Sequence, residues 1–240
     1  MSLRLLRFEP PRGYSRVKVV NSFDELVTSR FCDGVNALCW RRSLSGDFDE
    51  VAAQFPTTED IVSLDHSALR SLRLSAAGQA AVDTLIGDQE RLRALGLSPS
   101  LDCIHRYPRD ESGDLVPTDV YSCHADSATV ETDTYLCSYA GAASEGLRND
   151  EEQRCVDNPQ TRAELLRMFG GADGEAFRQY LRENCYDLHY VPAGHAQPYS
   201  FGLGNLWRIA VEYPGCPVPP CVHRAPETIA GQSPRLLLIS

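Results

Sequence analysis

Apolar positions divide the chain into a helical first part and a strand-rich second part. From Asp47 to Leu97 they recur every three or four residues, first in DFDEVAAQF and then through Leu69, Leu72, Leu74, Ala77, Ala80, Ala81, Leu85, Leu92 and Leu95. That is the period of a helix burying one face. Gly78 and Gly87 are expected to divide this stretch into two or three helices. Ahead of it, the first 45 residues mix short apolar runs with turn residues, and only VKVV (17–20) suggests a strand, at a sheet edge.

After Ser98-Pro99-Ser100 the texture changes to short β-rich runs: LDCIHRY (101–107), TDVYSCHAD (118–126) and TDTYLCSYA (132–140). A helical insertion is predicted over 159–183, opening at a Thr161 cap with Glu164 in capping-box position and broken at Gly170-Gly171. Strand texture then resumes in DLHYVPAG (187–194), HAQPYSFG (195–202), LWRIAVEY (206–213), PPCVHRAP (219–226) and PRLLLIS (234–240). Helices first and strands after predict an α+β, mainly β fold with a sandwich or barrel core. We expect one domain over 1–240, with 1–100 mostly helical and the β core in 101–240.

Composition narrows the function classes. Thirty-three acidic residues against 23 basic give a net charge of -10, which repels a phosphate backbone and offers nothing to an anionic membrane. Nucleic-acid and membrane partners are therefore not expected. No run approaches the roughly 20 apolar residues that span a bilayer. The start of the chain is broken by Arg4, Arg7, Glu9 and two prolines, so neither export nor a location outside the cytoplasm is expected. Nine cysteines, without Cys-x-x-Cys spacing, are then expected to be free thiols packed as small core residues.

The candidate chemistry lies at His124-Ala125-Asp126 and at His223, about a hundred residues later. Residues i and i+2 of a strand point to one side, so the His124 imidazole and the Asp126 carboxylate can converge on a metal that His223 completes. Two histidines and one carboxylate leave three adjacent coordination positions open, which suits iron(II). Alone, a His-x-Asp tripeptide is common. The segment CVHRAPETIAGQSPRLLLIS adds Arg235, twelve residues after His223 at the head of the last apolar strand.

His-x-Asp, a distal His and an Arg beyond it resemble the iron(II)/2-oxoglutarate-dependent oxygenase superfamily. The stretches SCHADSATVETDTYLCSYAGAASEGL, YVPAGHAQPYSFG and VHRAPETIAGQSPRLLLIS also resemble a bacterial family of unknown function with the same jelly roll. The resemblance covers roughly residues 100 to 240. It implies a double-stranded β-helix (jelly-roll, cupin-like) core with N-terminal helices and a helical insertion. It also implies iron(II) held by His124, Asp126 and His223, and 2-oxoglutarate whose far carboxylate meets Arg235, a task suited to the planar guanidinium. Dioxygen would be the co-substrate. The resemblance supplies no substrate; a compact chain with a helical insertion between sheet strands favours a small polar metabolite. A polar residue following the His-x-Asp segment commonly bonds 2-oxoglutarate in that superfamily, which nominates Tyr135, with Tyr139 in the same phase. Two departures stand out: a long segment between Gly202 and Cys221, and Ser138-Tyr139-Ala140-Gly141 in place of the family's turn.

Other residues compete for these roles. His189 and His195 lie in the same sheet region, with His195 in a predicted turn. Arg224 and Cys123 adjoin ligands and so should face away from the metal. Arg106 could meet a substrate carboxylate or an acidic neighbour such as Asp110. Two further functions stay open: an iron oxidase or dioxygenase that does without 2-oxoglutarate, and a non-enzymatic metal-binding protein holding zinc.

Overall fold

The computed structural model describes residues 8–55, 59–185, 188–229 and 231–240; the first residues of the chain and the start of the predicted 187–194 strand lie outside them. The first part runs β1 (Val17–Val20), α1 (Phe23–Thr28), β2 (Ala37–Trp40), α2 (Phe48–Ala52), β3 (Ile61–Ser63), α3 (His66–Ser71) and α4 (Ala76–Ala94). Then come β4 (Ser100–Ile104), β5 (Cys123–His124), β6 (Asp133–Ala140), β7 (Glu145–Gly146) and β8 (Glu152–Arg154). After a 3-10 turn follow α5 (Pro159–Phe169), α6 (Glu175–Asn184), β9 (His189–Pro192), β10 (Tyr199–Ser200), β11 (Leu206–Ala210), β12 (His223–Arg224) and β13 (Arg235–Ile239).

Helix makes up about 26% of the chain and strand about 22%, so the fold is mixed α/β with curled antiparallel sheets, and sheet does not outweigh helix as the sequence suggested. A seven-stranded sheet has the order β1-β2-β11-β6-β13-β4-β3, and a six-stranded sheet the order β10-β7-β12-β5-β9-β8. β1 lies at an edge, as its short apolar run predicts, and pairs with β2 in parallel. The first hundred residues, expected to be mostly helical, thus place three strands in the larger sheet. Neither β2 nor β3 was anticipated. ALCW is a four-residue apolar run without alternation, and Ile61 and Ser63 are exposed on the opposite edge.

The larger sheet is buried on both faces. On one face Tyr135, Cys137, Leu236 and Leu238 pack against Leu26, Val51, Leu69, Leu85 and Leu92 of the four helices. On the other, Ile104, Leu136, Trp207, Ile209 and Leu237 pack with Phe201 and Cys221. Tyr139 donates to Asp88 at 2.7 Å, and Asp88, fully buried, also meets Arg42 at 2.7 Å and Arg91 at 2.8 Å. This network ties α4 to β6 and to the segment after β2, and every member has a partner, the condition for buried charge to be tolerated.

Gly78 and Gly87 do not divide α4, which runs unbroken for 19 residues from the Ser75 cap. The break falls before it, between Ser71 and Ser75. Gly78 is needed for closeness instead, because a Cβ there would run into the Glu50 carboxylate and Leu74. α5 likewise begins earlier than its predicted Thr161 cap. Asn158 accepts from Gln160 N and Thr161 N, with Pro159 in the first turn, and Glu164 pairs with Arg167.

One buried acid gives the fold a pH signature. Glu152 on β8 accepts from Asn149 at 3.1 Å through one oxygen, while its other oxygen is buried without a partner. Burial pushes its carboxyl from an ordinary 4.5 up to about 7, the Asn149 bond opposing only in part. The unfolded chain releases this proton first, so stability should fall as pH rises from 4.5 through about 7 and then level off. With its partial exposure discounted, the loss is on the order of 1–2 kcal/mol. Urea midpoints at pH 5 and pH 8 should drop less in Glu152→Gln than in the wild type; equal drops would exclude the effect.

Candidate metal centre

The site is assembled by strand register. In the six-stranded sheet His223 on β12 lies opposite His124 on β5, which lies opposite His189 on β9. Gly146 on β7 lies opposite His223 on its other side. Directly paired residues share a face, so three imidazoles stand in a row. Ring centroids are 4.6 Å apart for His124 and His223 and 5.6 Å for His124 and His189.

Asp126 lies just beyond the end of β5, where its carbonyl accepts from Glu212 N at 2.9 Å and Ser127 bridges to Glu212. One carboxylate oxygen accepts from the Thr134 hydroxyl of β6 at 2.6 Å, and the other lies 3.8 Å from His223 Nε2. The bond to Thr134 reaches across to the larger sheet, so the row faces the space between the sheets. Candidate ligand atoms of His124, Asp126 and His223 all lie within 4.8 Å of one another. These are the three residues nominated from sequence.

Their hydrogen bonds prepare them as ligands. His124 Nδ1 lies 2.8 Å from Ser122 O and His223 Nδ1 3.3 Å from Cys221 O. A carbonyl can only accept, so each Nδ1 carries a proton and Nε2 is the nitrogen left to face a metal. Burial, followed by the nearness of His223, pushes His124 down to about 4, leaving it neutral at pH 7. Burial alone would raise the Asp126 carboxyl, but His223, the Thr134 hydroxyl and His124 outweigh it and hold it below its ordinary value.

Arg235 heads β13 on the same face as Leu237 and opposite Ile104 of β4. It is only 7% exposed. Its Nε donates to Ala142 O at 2.8 Å, Nη1 to the Tyr107 hydroxyl at 3.2 Å and Nη2 to the Ser144 hydroxyl at 2.9 Å. Ser144 is two residues from Gly146, the neighbour of His223. Every one of these partners is neutral, and no carboxylate among the described residues forms an ion pair with the guanidinium. Burial accordingly lowers its pKa, with Tyr107 opposing only in part. A buried cation without an anion is costly unless a ligand supplies one.

The Tyr135 nomination is corrected. Thr134 and Tyr135 are neighbours on β6 and point to opposite faces. Thr134 meets Asp126, while Tyr135 packs among the helices. Tyr139 shares that helix-side face. Thr134, Tyr107 and Ser144 are the polar side chains near the candidate groups that sequence reasoning missed. The alternation of β6 was visible, but which phase faced the second sheet was not.

Of the competitors, His189 joins the row and the others fall elsewhere. Arg224 pairs with Glu145 at 2.8 Å, and Arg106 with Asp60 at 2.6 Å rather than Asp110. His195 is exposed in a turn. Cys123 packs with Ala125, Leu147 and Tyr190 on the face away from the row, and burial raises its thiol pKa. No helix among the described residues is long and apolar enough to cross a membrane. No family model, curated protein or solved structure matches the chain.

Proposed function

We propose that this protein is a non-haem iron(II)- and 2-oxoglutarate-dependent oxygenase of a small metabolite, built on a double-stranded β-helix. The strand order supports the architecture. Setting aside β8 and β9, the strands from β4 onward are ordered β11-β6-β13-β4 in one sheet and β10-β7-β12-β5 in the other. That interleaving of eight strands in two sheets is the pattern of a jelly roll.

The donor set fits the metal. Two imidazoles whose Nδ1 atoms are engaged by carbonyls, together with one carboxylate, form a facial set suited to iron(II). No cysteine joins that group among the described residues, which disfavours a zinc–thiolate centre. Bound iron would supply the redox chemistry that couples oxidative decarboxylation of 2-oxoglutarate to oxidation of a substrate C–H bond. His124, Asp126 and His223 would hold the metal from one side. Thr134 fixes the Asp126 carboxylate, and the apolar inter-sheet wall limits water.

The observation that carries the co-substrate is Arg235, a buried guanidinium whose hydrogen-bond partners among the described residues are neutral. A dicarboxylate that chelates the metal at one end supplies the missing anion at the other. The decisive experiment is anaerobic titration with iron(II) and then 2-oxoglutarate. We expect one equivalent of iron and a visible metal-to-ligand charge-transfer band that appears only with 2-oxoglutarate. Iron binding without that band would leave a metal centre and remove the co-substrate.

A further inference from the structure

The third imidazole of the row has no role in the proposed metal set. His189 is 8% exposed, its ring stacks on His124 at an interplanar angle of 27°, and its Nδ1 is buried with no partner. Its nitrogens do not fall within the 4.8 Å group formed by His124, Asp126 and His223. It stands on the side of His124 away from His223, where it could meet a molecule extending past the metal rather than the metal itself. A buried N–H without an acceptor costs more than a buried lone pair, so Nδ1 stays bare and the proton sits on Nε2.

The position of β9 matters equally. It lies outside the eight interleaved strands and arrives with the segment that carries β8, α5 and α6. The same inserted segment therefore contributes a polar side chain to the row.

Building on the oxygenase reading, we propose that His189 is the hydrogen-bond donor that recognises the primary substrate, and that this substrate carries an oxygen acceptor, a carboxylate or a carbonyl, beside the metal. His189 is a positioning residue toward that group, not a metal ligand. The substrate class is thus an acid or carbonyl compound rather than an amine or a hydrocarbon.

The test uses cobalt(II)-loaded protein and azide, a small anion that binds open metal positions and accepts a hydrogen bond at its far end. His189→Phe keeps a ring against His124 but removes the N–H; His189→Gln keeps an N–H donor. Azide affinity, read from the cobalt visible spectrum, should fall about tenfold in His189→Phe and return to within about threefold of wild type in His189→Gln. Cobalt affinity should be the same in all three. Equal azide affinity in wild type and His189→Phe overturns the inference, as does an absence of azide binding by the wild type. Weakened cobalt binding in His189→Phe overturns it too, by making His189 a ligand. Failure of the wild type to bind cobalt or iron at all would instead bring down the metal centre on which the inference rests.

Discussion

Replacing His223 by alanine is expected to reduce iron(II) affinity by roughly a thousandfold or more, because removing a ligand exceeds the 10–100-fold cost of losing an outer partner. Thr134→Val supplies that smaller cost. It deletes the hydroxyl that bonds the Asp126 carboxylate at 2.6 Å while keeping a β-branched residue in the strand. His195→Ala, in an exposed turn, should change nothing. A graded series of ligand, outer partner and bystander, measured by competition with a metallochromic chelator, distinguishes a built centre from chance proximity. Indistinguishable iron affinities across the three variants would refute the centre. Thermal melting without metal provides the control for folding.

Arg235→Met should lower 2-oxoglutarate affinity by roughly a thousandfold, in line with the 2–5 kcal/mol typical of losing one partner of a buried charge pair, while iron affinity stays within a fewfold. Arg235→Lys should recover only part of the loss, since an ammonium cannot reproduce the two-pronged contact of a guanidinium. A thermal-shift measurement reads this directly: 2-oxoglutarate should raise the melting temperature of the iron-substituted wild type and leave that of Arg235→Met unmoved. An equal shift in both would remove Arg235 from the co-substrate site and favour an oxidase whose own substrate chelates the metal.

The candidate site was legible in sequence wherever one strand's own geometry sufficed. That His124 and Asp126 share a side needed only the two-residue repeat of an extended chain, though singling them out needed His223 and Arg235 downstream; Arg224 and Cys123 face away from the row by the same rule. His189 was visible only as a rival ligand, because its place beside His124 depends on register between β5 and β9, strands far apart in sequence. Tyr135 failed for a related reason: β6 is buried on both faces, so hydrophobicity could not tell the helix side from the inter-sheet side. Helical periodicity over 47–97 masked β3, and β2 lay unmarked in the mixed first 45 residues. β2 is a four-residue insert between β1 and β11, held in the sheet by partners on both sides. Gly78 misled because its place in α4 follows from close packing against Glu50, a tertiary contact.

The strand that carries Arg235 is last in sequence yet sits in the middle of the larger sheet, between β4 and β6. Until residues 235–239 arrive, β4 and β6 each lack a neighbour, and the sheet is an open pair of halves. β2 must likewise wait for β11, about 170 residues later. The larger sheet is therefore complete only once both β11 and β13 have paired. The pairing of β13 also brings Arg235 to Ala142, Tyr107 and Ser144, so the guanidinium proposed to hold a dicarboxylate is in place only once the sheet is closed.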